Sequence, residues 1–116
     1  MRLSMISLGV TDMNRSVEFY RDTLEMELAG DVGEVTMVRA GDLTIALNRP
    51  LAQAAGDQIV GAVEVIFNVD SVVDSHAKLT ARGCNFVNAP REMFPGTFAT
   101  TFTDPDGHRL TIMGPR

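Results

Sequence analysis

Val63-Glu-Val-Ile-Phe-Asn-Val-Asp70 is the stretch whose reading decides the fold. With period two, Val63, Val65, Phe67 and Val69 fall on one face of a strand, and Glu64, Ile66 and Asn68 on the other. The first face, β-branched and aromatic, suits packing beneath a helix. The second sets a carboxylate beside an isoleucine, facing something else. A helix start follows at once. Ser71 is the N-cap, with Asp74 three residues on as an imperfect capping box. Val72, Val73, Ala77 and Leu79 supply its buried side, and Arg82 and Gly83 are the residues a helix end favours. Beyond it the pattern predicts a short strand over 84–87, an irregular loop over 88–96 with Pro90 and Pro95, and a strand over 98–103. Asp104-Pro-Asp-Gly107 has the residues of a type I turn. A last strand follows over 109–113.

The same order of parts occurs upstream. Met5, Ser7 and Gly9 alternate with Ile6, Leu8 and Val10 in a first strand over about 4–10. Asp12 is the N-cap of a helix whose stripe is Met13, Val17, Tyr20 and Leu24, with Phe19 beside it. Residues 30–33 read as a turn. Strands over 34–40 and 43–47 are joined by the tight Gly41-Asp42 turn. Met5 to Val10 aligns on Glu64 to Val69 at a constant offset, and Leu-Thr-Ile closes both halves, at 43–45 and 110–112. The chain is therefore read as one domain, 1–116, built from two βαβββ modules. Module one covers about 1–48, a connector 49–62, and module two 63–116. The fold class is α+β, with the two sheets curving into a cup. Short curved sheets leave edges and apolar faces to cover, so completion by homodimerisation is expected.

Bulk properties narrow the partners. In 116 residues, 45% hydrophobic, there is enough apolar mass for one core but little for two independent domains. A net charge of −5 argues against nucleic acid and favours cationic or neutral small molecules. No apolar run approaches the roughly 20 residues of a membrane helix, so no membrane is expected. The opening ten residues read as a strand and not as a signal peptide. One cysteine, Cys84, excludes an intrachain disulfide and suits a cytoplasmic location.

Leu8-Gly-Val-Thr-Asp12, Ser16, Phe19-Tyr20 and Leu24 together resemble the opening of the vicinal oxygen chelate superfamily. That group includes glyoxalase I, extradiol dioxygenases, fosfomycin-resistance transferases and bleomycin-binding proteins. Phe102-Thr-Asp-Pro-Asp-Gly-His108 is similar to the superfamily's closing hairpin. The resemblance spans nearly the whole chain and speaks to fold more than to function. Metal-dependent members take ligands from four cup positions. Carried over, these fall on Met5, on one of Thr44, Ala46 and Asn48 in the fourth strand, on Glu64, and on Thr111. Only Glu64 is a competent ligand for a hard or borderline divalent ion, whereas a catalytic site needs about three protein ligands. The resemblance thus implies a family metal site that this chain has lost, with no metal ligands and no cofactor expected.

The candidate site is the set opposite the helix-packing faces: Met5, Ser7, Asn48, Glu64, Ile66, Thr111 and Met113. Glu64 is either a solvated carboxylate at a cup rim or a buried acceptor or general base. Phe94 and Phe98 flank Pro95-Gly96 and either close over a ligand by stacking or pack on an edge. Met5, Met37, Met93 and Met113 would give such a cup a soft lining. His76, at mid-helix, reads as a packing histidine, His108 as part of the hairpin, and Cys84 as buried. The leading expectation is a metal-independent small-molecule binding protein holding an aromatic or cationic compound, as the drug-sequestering members of the superfamily do. The alternative is a lyase, isomerase or dioxygenase with an atypical metal site, or with Glu64 as its base.

Overall fold

The computed structural model describes residues 5–57 and 63–116. Ser4, at the start of the expected first strand, and 58–62, the end of the expected connector, lie outside the described residues. The chain is α+β and divides into two compact units, Met1–Gln58 and Ile59–Arg116. Each carries its own mixed sheet.

In module one, β1 (Ile6–Gly9) is followed by α1 (Met13–Val17), a π-helical segment Glu18–Thr23, β2 (Glu27–Val32), β3 (Val35–Ala40) and β4 (Leu43–Asn48). The sheet order is β1-β4-β3-β2, with β1 parallel to β4. Asp12 caps α1 as expected, its Oδ1 accepting the Arg15 backbone N–H at 3.1 Å. The helical stripe differs from the expected one. Ser16 and Tyr20 are fully buried, while Met13, Val17 and Leu24 are only half-buried. The chain widens into π geometry after Val17, and the Leu24 N–H donates to the Phe19 carbonyl at 3.0 Å. A wider turn advances each side chain by less than an α turn does, so a stripe counted at α spacing drifts off the buried face.

Two further corrections concern module one. The βαβββ plan calls for three strands after the helix, and β2 is the one to which the sequence reading gives no range; Gly30, expected in a turn, lies inside it at a register shift between Leu28 and Gly30. Such a bulge is a common place for a strand glycine. The turn itself sits at Gly33, whose φ of 66° is the left-handed region that glycine adopts without cost. Residues 49–55, expected as connector, form helix α2 (Arg49–Ala55). Asn48 is its N-cap, with Oδ1 accepting the Leu51 N–H at 2.9 Å, and Pro50 sits in its first turn. The proline opens the helix; it is not a breaker there.

Module two runs β5 (Glu64–Asn68), α3 (Val72–Ala81), β6 (Asn85–Phe86), β7 (Arg91–Phe94), β8 (Thr97–Thr103) and β9 (Arg109–Gly114). The order is β5-β9-β8-β6, with β7 also pairing β8 and β5 parallel to β9. The expected loop 88–96 thus contains a strand. Beneath α3 the sheet buries Val65, Phe102, Leu110 and Ile112, with Val72 from the helix. Ser71 caps α3 by accepting the Asp74 N–H at 3.1 Å. Its own hydroxyl donates to the Arg116 carbonyl at 2.7 Å, and the Val72 and Val73 N–H groups donate to the carbonyls of Pro115 and Arg116. The residues after β9 therefore satisfy donors that a first helical turn leaves open. In the Asp104–Gly107 turn, Asp104 Oδ1 accepts the N–H groups of Asp106 and His108, and the Gly107 N–H donates to the Asp104 carbonyl. Among the described residues, no helix is long and apolar enough to cross a membrane.

Candidate functional site

The face of each sheet opposite its helix is read from the register. In module two three rungs cross that face. Glu64 pairs with Arg109, and Arg109 with Thr103. Ile66 pairs with Thr111, and Thr111 with Thr101. Asn68 pairs with Met113, Met113 with Ala99, and Ala99 with Arg91. Paired residues project to one side, so the middle of this face is polar although the strands are apolar on the other.

Several of the polar groups on and beside these rungs are engaged. The Arg109 guanidinium Nε donates to Glu64 Oε2 at 3.4 Å, with both side chains a little over a third exposed. A pair so placed contributes about 0–1 kcal/mol. Its value is in positioning the carboxylate. The Thr101 and Thr111 hydroxyls lie 2.7 Å apart and are buried, at 6% and 4% exposure. Asn88, before β7, accepts at Oδ1 from the Thr101 N–H and the Thr100 hydroxyl, both at 3.1 Å. A pocket of about 110 Å³ opens over these groups, walled by Met93 and Met113 and ending at Arg91 and Arg109.

In module one the corresponding face is partly occupied. Asn48 Nδ2 donates to Ser7 Oγ at 3.1 Å while its Oδ1 caps α2. Gly9, the next residue of that face along β1, lies under α2: a Cβ there would stand 3.1 Å from the backbone of Ala52. Both polar ends of Asn48 are thus used by the protein. A larger open groove, about 650 Å³, lies on the helix side of module one between α1 and β2. None of the expected site residues lines it.

The family model for the glyoxalase/bleomycin resistance protein/dioxygenase superfamily matches residues 2–112. The chain belongs to this superfamily. Solved structures share its fold. The fosfomycin resistance protein FosX from Listeria monocytogenes superposes with a TM-score of 0.81 at 19% identity, covering 100% of this chain and 94% of that one. A lactoylglutathione lyase from Agrobacterium tumefaciens gives 0.78 at 19%, covering 97% and 92%. A protein of unknown function from Agrobacterium tumefaciens gives 0.74 at 25%, covering 97% and 93%. No curated protein matches the chain in sequence.

Within this superfamily member, the ladders settle which fourth-strand residue corresponds to Thr111. Ser7 aligns on Ile66, and Ser7 pairs with Ala46 as Ile66 pairs with Thr111. The equivalent residue is Ala46, buried at 3% exposure. The repeated Leu-Thr-Ile tripeptide is therefore two residues out of step with the ladders and does not mark equivalent positions. The donor chemistry at the four family positions is then a thioether at Met5, a methyl at Ala46, a carboxylate ion-paired to Arg109, and a hydroxyl bonded to Thr101. That set does not fit a divalent ion, which wants about three nitrogen, oxygen or thiolate donors. Among the described residues no group of three or more His, Cys, Asp and Glu side chains gathers as a metal site.

The remaining expected residues are dispersed. Met5 is 43% exposed just before β1. Ile66 shares the open face but is 51% exposed and stands beside the pocket. Phe94 ends β7 with its ring 63% exposed. Phe98 alternates with Ala99 and shares its side of β8 with Phe102, on the helix face, and it does not line the pocket. Glu64, Thr111 and Met113 are brought together. Reading the sequence missed Arg91, Asn88, Thr101 and Arg109. Arg109 had the same parity as Thr111 and Met113 and was legible there. Arg91 was hidden because 88–96 carries two prolines and reads as loop. His76 stacks on Phe86 at 4.3 Å between ring centroids, and Phe86 on Phe102 at 5.1 Å. Cys84 is buried, and burial pushes its thiol pKa up, with Arg82 opposing weakly.

Proposed function

We propose that this glyoxalase-superfamily protein is a metal-independent small-molecule binding protein, with the ligand held on the open face of module two. One observation carries the reading: at the positions where metal-dependent relatives bind their ion, Glu64 is held by Arg109 and Thr111 by Thr101. These are engaged groups of a polar binding surface, and the methionine walls give it an adaptable apolar rim. Pairing with a second copy of the chain is part of the same proposal. Of the similar structures, one is named for fosfomycin resistance and one for lactoylglutathione cleavage. The family fold therefore serves both resistance and catalysis, and the donor set favours binding here.

The test is elemental analysis of the purified protein after incubation with Zn, Ni, Mn and Fe(II) and desalting. The expected result is no retained stoichiometric metal, and no change in thermal stability, since a ligand that binds only the folded state must raise it. Near-stoichiometric metal would overturn the proposal and put an enzyme with an atypical metal centre in its place.

A further inference from the structure

The net charge of −5 points to cationic partners, but the pocket of module two is lined by two arginines against one glutamate. Glu64 is committed to Arg109 at 3.4 Å, which leaves Arg91 as the uncompensated charge. Among the described residues the exposed Arg91 side chain has no ion-pair or hydrogen-bond partner. It stands at the Ala99 rung, where the small methyl leaves room, at the opposite end of the pocket from Arg109.

A second observation is independent of charge. Asn88 has its Oδ1 fixed by the Thr101 N–H, so the amide orientation is set and Nδ2 must be the donor end. Among the described residues those two Nδ2 hydrogens have no acceptor. The pocket therefore presents a planar guanidinium from the Ala99 rung and, at the Thr101 rung next to it, an amide N–H₂ and a threonine hydroxyl pair. The pocket's charged acceptor, Glu64, is bridged to Arg109, whereas the donors of Arg91 and Asn88 are unengaged, and a guanidinium fork matches a carboxylate in geometry as well as charge. The volume of about 110 Å³ holds about four waters, well short of the ~300 Å³ at which drug-sized sites begin.

We propose that the pocket takes a small organic acid, its carboxylate seated on Arg91 and the Asn88 amide, its body between Met93 and Met113. This deepens the binding reading above and rests on it. The test uses benzoate, with benzamide and benzylamine as neutral and cationic counterparts of the same ring. Amide and arginine side-chain resonances of the full chain are followed by NMR at neutral pH. Benzoate is expected to shift Arg91, Thr101 and Thr111 saturably, and more tightly than benzamide. Arg91→Gln should weaken benzoate by about tenfold or more, the scale of one charge-assisted hydrogen bond. Arg91→Lys should retain part of the affinity. Asn88→Asp, which keeps the acceptor for Thr101 but sets a second anion at the site, should weaken benzoate as well. Arg91 is exposed on β7, so its variants fold as the parent does. If benzamide or benzylamine binds the same residues as tightly as benzoate, or Arg91→Gln leaves benzoate unchanged, the acid assignment falls and the binding face stands. If no probe shifts module-two resonances, both fall.

Discussion

Thr101 and Thr111 face each other across β8 and β9 with hydroxyls 2.7 Å apart, and both are buried. Changing either to Val keeps the shape and removes one hydroxyl, leaving the other without its partner. A buried polar group left unpaired costs about 1–3 kcal/mol, whereas removing both members of a pair by isosteric apolar groups is close to neutral. Thr101→Val and Thr111→Val should therefore each destabilise by about 1–2 kcal/mol, and the double variant by less than either alone. For a chain of this size each kcal/mol moves Tm by about 4 °C. The assay is urea and thermal unfolding of the four proteins, followed by two probes so that the two modules are not mistaken for one transition. Additive costs in the double variant, or singles indistinguishable from the parent, would refute the reasoning. Costless singles would mean that water entering the pocket replaces the lost partner, and the hydroxyls would then belong to the ligand surface rather than to the sheet.

Two further outcomes follow from close approach and burial. A Cβ on Gly114 would overlap the backbone carbonyl oxygen of Val69, which cannot move aside as a side chain would. Gly114→Ala should cost about 3 kcal/mol, at the upper end of overpacking, read from the urea midpoint. Burial raises the Cys84 thiol pKa, so the folded state keeps that proton where the unfolded chain has lost it. Its contribution is neutral below the unfolded thiol pKa, and stability falls as pH rises above it. Iodoacetamide at pH 8 should label Cys84 slowly in the native protein and readily in urea, measured by intact mass; rapid native labelling would contradict the burial.

The parts of the fold legible in the sequence were those where one physical signal acted alone. Clean period-two alternation gave β5 and β1, and single side-chain caps gave Asp12 and Ser71. The parts that escaped were those where two signals competed. In 27–32 a bulge glycine breaks the strand pattern, and in 49–55 a proline and several alanines read as a linker although they follow a capping asparagine. In 88–96 two prolines mask the strand Arg91–Phe94, three of whose residues pair with β8. That last miss mattered most for the site, since it hid Arg91. Parity along β8 puts Phe98 on the helix face with Phe102. The π-helical segment left no sequence signal, because the same apolar residues satisfy either turn width.

The two modules share a ladder plan but have parted in chemistry, and the register shows where. At the central rung module one has Ser7 beside Ala46, and module two has Ile66 beside Thr111. One rung on, Gly9 pairs with Asn48, and the asparagine spends its amide on Ser7 and its oxygen on α2. The matching rung of module two is Asn68 beside Met113, with Ala99 and Arg91 beyond, where the methyl of Ala99 leaves space. In one module the asparagine of that rung has both its polar ends engaged. In the other, the same positions open onto donors that the protein leaves unspent. The binding function proposed above needs only one of the two copies to remain open, and the face of the second is the one whose donors stay unengaged.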